Sequence, residues 1–351
     1  MSMIININND TISVNLIPEG NFMKNHIYAL LAFLLLTVNT LDAQERLEKI
    51  VIAGPFASVS HPLLHMIETQ ALKDVAKKVE FRLWKNPDEL RAIVIKGDVD
   101  FVAVPTNTAA ILNNKGVDIR LLNVSVWGIL GMISRDNTLK TLKDFKGKKI
   151  AVPFRADMPD IVFVQLLKKQ GLDPKKDFEL VYVANPIDAM QMLIMRRIDH
   201  SLLAEPAISV ALRKTDSFPI KLIAPDLYRS VDLQEEWARV FNTDRDIPQA
   251  GMAVLGRMKD KKVISRFLEE YDNSLKWYMS HPQEAGVMVA KEIDLLTKDG
   301  VADSIAHVNL KSKRAVDVRE KIEFFFDVLK EEDPKIIGGK LPQDSFYYKE
   351  D

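Results

Sequence analysis

The chain has 351 residues, 47% of them apolar, so it is long enough to bury a sizeable core and to form two or more globular units. Its formal net charge is −1, which gives no reason to expect a nucleic-acid partner. It contains no cysteine, which excludes disulfides, thiolate metal sites and covalent cysteine catalysis.

An export signal is predicted near the N-terminus. Lys24 gives a basic start, residues 27–38 form an apolar run, and Ala43 is a small residue suited to cleavage. The run is too short for a comfortable membrane span. Residues 23–43 are therefore predicted to be a signal peptide that directs the protein to the periplasm, with an uncleaved anchor as the alternative. The polar residues 1–22 are interpreted as an upstream extension that precedes the natural start.

From Glu48 onward, short apolar runs alternate with helical periods, which predicts an α/β fold with mainly parallel sheets. The strands predicted in the first half are 49–53, 79–84, 101–104, 119–126 and 129–134. The helices predicted between them are 61–77, 88–95 and 106–113.

The second half repeats this alternation and then becomes mostly helical. Strands are predicted at 150–152, 179–183, 201–204 and 251–255, with a less regular section at 222–249. Asp157 and Asn185 are predicted to cap the helices that follow the first two of these strands. Further helices are predicted at 261–280, 283–293, around 301 and at 316–331. The sections before and after about Arg135 are similar in build, and two halves of that kind enclose a cleft.

Several short motifs give the chain a family resemblance. They are LKDFKGKKIAV at 142–152, GLDP at 171–174, DAM at 188–190, ID at 198–199 before EP at 205–206, and GDVD at 97–100. In this order and spacing the chain, from about Leu47 to Tyr348, resembles the nitrate/sulfonate/taurine-type family of periplasmic solute-binding proteins of ABC importers. The resemblance implies a two-lobed periplasmic binding protein fold of type II, whose lobes are joined by two crossovers. Lobe one would be 47–136 with 247–348, and lobe two 137–246.

The resemblance also implies a function. A receptor of this kind captures a small polar organic ligand, such as a sulfonate, carboxylate or zwitterion, and delivers it to a membrane permease with a separate ATPase subunit. We expect a monomer without a cofactor and without enzymatic activity. One alternative is an enzyme of menaquinone-precursor or pyrimidine-precursor synthesis on the same fold. The first kind would be cytoplasmic, and the second relies on a cysteine-rich motif that this chain lacks. The other alternative is a ligand-sensing adaptor without transport.

Loops near the carboxyl ends of the predicted strands are expected to line the cleft, because ligands of open α/β sheets sit there. The candidate ligand-binding residues are Pro55, Phe56, Ala57, Ser58, Trp84, Thr106, Asn107, Thr108, Trp127, Arg155, Asp157, Met158, Glu205 and Gln249.

Arg155 is the candidate partner for an anionic group, because its guanidinium can fork onto a carboxylate or sulfonate. Asp157 either clamps Arg155 or caps a helix, and Glu205 either caps a helix or meets an amine of the ligand. Thr106, Asn107 and Thr108 are the candidate ligand anchor in lobe one, and simple N-capping by Thr106 is the alternative, which does not exclude ligand contact. Trp84 and Trp127 offer flat apolar surfaces to a ligand or pack in the core.

His61 and His65 are candidate metal ligands. The two residues lie four apart on one helix face, a spacing that can bind a metal. No glutamate follows His61, so the zinc-protease pattern is missing. No metal site is therefore predicted.

Overall fold

The computed structural model describes residues 3–8, 11–16, 46–223 and 226–350. The chain divides into two compact units, Met1–Arg46 and Leu47–Asp351. In the first unit, β1 (Met3–Asn8) and β2 (Thr11–Leu16) pair as an antiparallel hairpin. The predicted signal peptide at 23–43 lies outside the described residues. Within the described ranges, no helix has both the length and the apolar character needed to cross a bilayer.

The larger unit alternates strands with helices. Its strands are β3 (Ile50–Gly54), β4 (Val79–Leu83), β5 (Phe101–Pro105), β6 (Ile119–Leu121), β7 (Asn123–Gly128), β8 (Leu130–Ser134), β9 (Lys149–Pro153), β10 (Glu179–Val183), β11 (His200–Ala204), β12 (Tyr228–Asp232), β13 (Ala250–Leu255) and β14 (Asn309–Arg314). Its helices are α1 (His61–Glu68), α2 (Pro87–Lys96), α3 (Thr106–Asn114), α4 (Met158–Lys169), α5 (Pro186–Ile194), α6 (Ala207–Asp216), α7 (Ile220–Ile223), α8 (Leu233–Phe241), α9 (Lys261–Ser280), α10 (Pro282–Glu292), α11 (Lys298–Ser304) and α12 (Arg319–Glu332).

The strands form two separate sheets. One has the order β14-β7-β13-β5-β3-β4, with β6 beside β13, and the other has the order β10-β9-β11-β8-β12. We call the first sheet with its helices lobe one, and the second with its helices lobe two. The chain passes from lobe one to lobe two between β7 and β8, and returns before β13.

Both sheets are mixed, whereas the sequence predicted mainly parallel ones. In lobe one β3 pairs in parallel with β4 and β5, and in lobe two β9 pairs in parallel with β10 and β11. The strands next to the crossovers run the other way: β8 is antiparallel to β11, and β13 is antiparallel to β5. The predicted parallel arrangement therefore holds only for three strands in each sheet, those joined by helices.

Helix ends follow local capping. Asn86 accepts a hydrogen bond from the N–H of Glu89, and Asn185 accepts from those of Ile187 and Asp188, so α2 and α5 begin alike with proline at the first position. The predicted cap at Asn185 is thus confirmed. Helix α1 ends at Glu68, well before the predicted residue 77. There the Thr69 hydroxyl donates to the carbonyl of His65 over 2.7 Å.

Strands β12 and β14 and helix α8 were missed by the sequence analysis. Strand β12 and helix α8 fall in the section expected to be irregular, and β14 falls between two predicted helices. Most residues of both strands are only half-buried or exposed, so they lack the continuous apolar run that marks the central strands.

Candidate functional site

A cavity of about 80 Å³ lies between the two lobes. The three parallel strands of each lobe point their carboxyl ends at it. The residues that end or closely follow these strands and line the cavity are Pro55, Trp84, Pro105, Phe154, Pro186 and Ala204. We call it the interlobe cavity. Its position is the one that open α/β sheets use for ligands.

The loop between β9 and α4 sets the lobe-two wall. Phe154 and Ala156 both have positive φ, 57° and 59°, a conformation that costs non-glycine residues free energy. The Phe154 ring lies 6.5 Å from the ring of Trp84, measured between centroids, so one aromatic side chain from each lobe borders the cavity.

Arg155 does not line the interlobe cavity. Its guanidinium lies 5.0 Å from the ring centroid of Tyr182 in β10 of lobe two, and its side chain is exposed. Tyr182 in turn donates a hydrogen bond of 3.3 Å to Asp160. Arg155 and Tyr182 instead line a separate cavity of about 760 Å³, and the role of Arg155 as partner of an anionic ligand group stays a prediction.

Asp157 joins the two lobes. Its Oδ1 accepts from the backbone N–H of Met158 at 2.8 Å, so it caps α4 as predicted. The same atom accepts from the hydroxyl of Thr108 at 3.2 Å, and Oδ2 lies 3.2 Å from Nη2 of Arg91. Thr108 and Arg91 belong to lobe one. The clamp between Asp157 and Arg155, considered as the alternative, is absent from these contacts, and Arg91 pairs with Asp157 instead.

The carboxyl of Asp157 is almost fully buried and lines the cavity. Burial raises its pKa above the usual range, against the opposing effects of the Met158 N–H, Arg91 and Thr108. The burial effect prevails because the carboxyl is removed from water, whereas the side chain of Arg91 is 35% exposed and its charge is partly screened.

Of the predicted anchor in lobe one, only Thr108 faces the other lobe. Thr106 donates its hydroxyl to the carbonyl of Pro248 at 2.6 Å, and Asn107 donates its amide to the carbonyl of Ile336 at 3.4 Å. Both contacts lie within lobe one. Helix α3 begins at Thr106 with Pro105 in the N-cap position and no side-chain capping hydrogen bond, so Thr106 does not have the capping role considered as the alternative.

Glu205 and Ser58 also meet between the lobes. The Ser58 hydroxyl donates to the backbone carbonyl of Glu205 at 3.4 Å. The Glu205 carboxylate accepts from the N–H of Ser209 at 3.1 Å in the first turn of α6, and it pairs with Arg229. Of the two roles considered for Glu205, the structure shows the helix cap.

The two candidate tryptophans, Trp84 and Trp127, lie in different parts of lobe one. Trp84 lines the interlobe cavity, and its indole N–H donates to the carbonyl of Ala103 at 3.2 Å. Trp127 is buried in lobe one, where its N–H donates to the carbonyl of Lys311 at 2.7 Å and so ties β14 to β7.

Gln249 lines the cavity at the start of β13 and bonds to Gln234 of α8, the two amides being 3.3 Å apart. Pro55, Ala57 and Met158 also line this cavity, and their contact with a ligand stays a prediction. Phe56 lies just outside, in a neighbouring cavity of about 30 Å³, and its carbonyl contacts His61.

His61 and His65 bond to neighbouring side chains. His61 is fully buried, with Nδ1 2.9 Å from the hydroxyl of Tyr278, and burial lowers its pKa to about 4. His65 lies 2.9 Å from the hydroxyl of Ser274 and stacks on Trp277. Within the part of the chain that the structure describes, no cluster of three metal-ligating side chains occurs.

A larger cavity of about 650 Å³ lies beside the crossover at residues 128–132. It is lined by charged side chains that pair with one another or with nearby groups, among them Arg245 with Asp232 and Arg229 with Glu205. Because these charges are already paired, the interlobe cavity is the better candidate for the ligand.

The chain matches a model of the NMT1/THI5-like family over residues 78–285, more than half of its length. The chain belongs to the NMT1/THI5-like family. No curated protein sequence matches it. The family match and the solved structures below confirm the resemblance predicted from the sequence motifs.

Solved structures similar to this NMT1/THI5-like chain include periplasmic and ABC-transporter proteins. An ABC transporter protein of Parabacteroides distasonis is 22% identical, with a TM-score of 0.68 over 87% of this chain and 100% of that one. The aliphatic sulphonate binding protein SsuA of Escherichia coli is 16% identical, with a TM-score of 0.62 over 87% and 94%. The nitrate-binding protein NrtA of Synechocystis is 14% identical, with a TM-score of 0.65 over 82% of each chain. At these identities the likeness establishes the two-lobed fold.

Several residues that line the interlobe cavity of this NMT1/THI5-like chain were not predicted from the sequence. Phe154 was passed over for its charged neighbour Arg155, and Pro87 and Pro186 were regarded only as helix starts. A usable signal was present for the prolines, since each follows a strand and a capping asparagine in the same way. For Arg91, in the middle of a helix far from any strand end, no local signal exists.

Proposed function

We propose that this protein is a solute-binding receptor of an ABC importer. It holds a small molecule between its two lobes in the periplasm and passes it to a permease with a separate ATPase subunit. We further propose that residues 47–136 with 247–348 move as one body and residues 137–246 as the other. The protein acts as a monomer in this proposal, since one chain supplies both walls of the cavity.

One observation carries the proposal: the carboxyl ends of the parallel strands of both lobes converge on a single cavity. A ligand there touches both lobes at once, so it gains contacts in the closed state that the open state lacks. Differential contact of this kind is what allows a ligand to shift a hinged protein toward closure.

Further contacts join the two lobes. Besides the bonds of Asp157 to lobe one, Arg213 of α6 pairs with Asp303 of α11 at 2.8 Å, and Lys169 of α4 pairs with Glu331 of α12 at 3.1 Å. The last two pairs are exposed and contribute little each. Exposed pairs of this strength suit a receptor that must open again to release its ligand.

The lining supports a receptor over an enzyme. Among the described residues that line the interlobe cavity, Asp157 is the only one with a titratable side chain. Its carboxylate oxygens are engaged by Met158, Thr108 and Arg91. General acid–base or nucleophilic catalysis needs a reactive group held next to a partner that activates it, and this lining offers no such pair.

A thermal-shift screen followed by calorimetry tests the proposal. Nitrate, sulfonates, amino acids and small amides are added to the purified protein, and each stabilising compound is recovered and analysed by mass spectrometry. We expect a binder that is recovered unchanged and that lowers the radius of gyration in small-angle X-ray scattering. Chemical turnover of a bound compound would contradict the receptor function.

A further inference from the structure

The outer edge of β10 differs from the other sheet edges of the larger unit. Strands β4, β12 and β14 also end a sheet, and each has charged side chains along it. The pairing of β12 and of β14 is also interrupted by register shifts. Charges and irregularities of this kind keep an exposed edge from pairing with another chain. After Glu179, β10 instead has the uncharged run LVYV at 180–183, and it pairs with β9 in an unbroken register.

Part of the β10 backbone points away from the sheet. The N–H of Glu179 and the carbonyl of Val183 bond to residues that flank β9, over 3.0 Å and 3.2 Å. Along a strand, residues that bond to one neighbour alternate with residues whose backbone groups face the other side. The N–H and C=O groups of Leu180 and Tyr182 therefore face the outer edge, where no described strand pairs with β10. An extended peptide laid along this edge can hydrogen-bond to them.

A groove lies beside this edge. It is the cavity of about 760 Å³ between α4, the loop at 171–175 and β10, and we call it the β10 groove. Leu180 and Tyr182 share one face of β10, and both line the groove. The side chains of an added strand would alternate between the two faces of the extended sheet, so every second one would enter the groove.

The β10 groove is basic. Its charged lining residues are the cations Arg155, Lys168 and Lys175 and, among the described residues, a single acid, Asp173. Asp173 accepts from the backbone N–H of Lys175 over 2.9 Å. Lys168 pairs with Glu332 of α12, whereas Arg155 and Lys175 form no salt bridge with a described residue. A strand with acidic side chains on the α4 face of the sheet therefore complements the groove.

We propose that the β10 edge and the β10 groove bind an extended acidic peptide segment of another protein, which adds to the sheet of lobe two as a further strand. Its backbone pairs with Leu180 and Tyr182, and its carboxylates meet Arg155 and Lys175. A second copy of this chain fits less well, because two copies paired antiparallel along β10 would bring the same cations of both to one face of the joined sheet. The groove shares no lining residue with the interlobe cavity, so a peptide and a small ligand can be bound at once.

Fluorescence anisotropy with labelled peptides and the whole protein tests the proposal. The probe is a heptapeptide in which glutamate alternates with valine, and its control has lysine in place of glutamate. Two further probes are N-methylated, one at every glutamate and the other at every valine. Because only one of these two sets faces β10, we expect one methylated probe to bind like the parent and the other not to bind. The lysine peptide should not bind, and added salt should weaken binding of the glutamate peptide.

Variants assign the binding to the groove. The double variant Arg155→Gln with Lys175→Gln should bind the glutamate peptide about tenfold more weakly, from about threefold for each exposed charge pair. Both side chains are exposed, so the fold should be kept. Lys115→Gln is the matched control, because Lys115 is an exposed lysine in lobe one, and it should leave binding unchanged.

Several outcomes would overturn the proposal. Equal binding of the two methylated probes would exclude strand addition, and equal binding of the lysine peptide would exclude charge complementarity. A double variant that binds as tightly as the control would exclude the groove, and no binding by any probe would exclude an acidic peptide as the occupant. A dimer that the glutamate peptide dissociates in size-exclusion chromatography would assign the edge to a second copy of the chain. These measurements use no small ligand, so their outcome is independent of the receptor function.

Discussion

Replacing Arg91 by methionine tests whether its contact with Asp157 holds the lobes together. Arg91 lies in lobe one with its side chain 35% exposed, and Asp157 lies in lobe two with its side chain 3% exposed. Methionine keeps the unbranched stem of arginine and removes the charge. The carboxylate then stays buried in the closed state without its counter-ion, whereas opening the cleft returns it to water.

The expected size of the effect follows from these exposures. Removing one partner of a fully buried ion pair costs about 3–5 kcal/mol, and an exposed pair is worth at most about 1 kcal/mol. The Arg91 pair is intermediate, and Asp157 keeps its bonds to Met158 and Thr108. We therefore expect a loss of about 2 kcal/mol from the closed state, which lowers the ratio of closed to open protein roughly thirtyfold.

Small-angle X-ray scattering of the ligand-free protein measures the opening as a larger radius of gyration. Arg82→Met is the matched control, because Arg82 pairs with Asp98 inside lobe one over 2.5 Å and has a side chain 38% exposed. The double variant Arg91→Met with Asp157→Asn should close again in part, since the uncharged amide that replaces the carboxylate needs no counter-ion. The reasoning is refuted if Arg91→Met opens no further than the control, or if the double variant is as open as Arg91→Met.

Three further predictions concern other contacts of the same lobes. Burial lowers the pKa of His61 from 6.5 to about 4, so the folded state binds fewer protons and the free energy of unfolding falls as the pH drops from 6.5 towards 4. The free energy of unfolding, measured by urea denaturation, should be about 2 kcal/mol lower at about pH 5 than at about pH 8 because of His61. The His61→Gln variant should lack this part of the pH dependence. Gly300→Ala should favour the open state, because a Cβ on Gly300 of α11 would lie 2.9 Å from Cα of Val210 in α6 of the other lobe. Small-angle X-ray scattering should then show a larger radius of gyration, and an unchanged radius would contradict the prediction. Arg155→Ala should leave ligand affinity within about twofold in calorimetry, since exposed groups outside a site change binding little, and a tenfold loss would place Arg155 at the ligand.

The local framework of both lobes could be predicted from the sequence. The caps at Asp157 and Asn185 and the helix Lys261–Ser280 are found as predicted, because a cap and a helical period depend on residues within a few positions of one another. The ends of apolar runs likewise located Pro55 and Trp84 at the cavity, since a strand end fixes where its loop begins.

Tertiary structure alone decided which side chains meet at the cavity. Phe154 and Arg155 are neighbours in the sequence, but Phe154 packs near Trp84 and Arg155 lies over the ring of Tyr182. The Ala156 N–H donates to Asp160 at 2.7 Å and helps to hold that loop. The pairing of Arg91 with Asp157 joins residues 66 positions apart. The contacts of Phe154 with Trp84 and of Arg91 with Asp157 depend on the packing of one lobe against the other, and neither propensity nor periodicity along the chain carries that information.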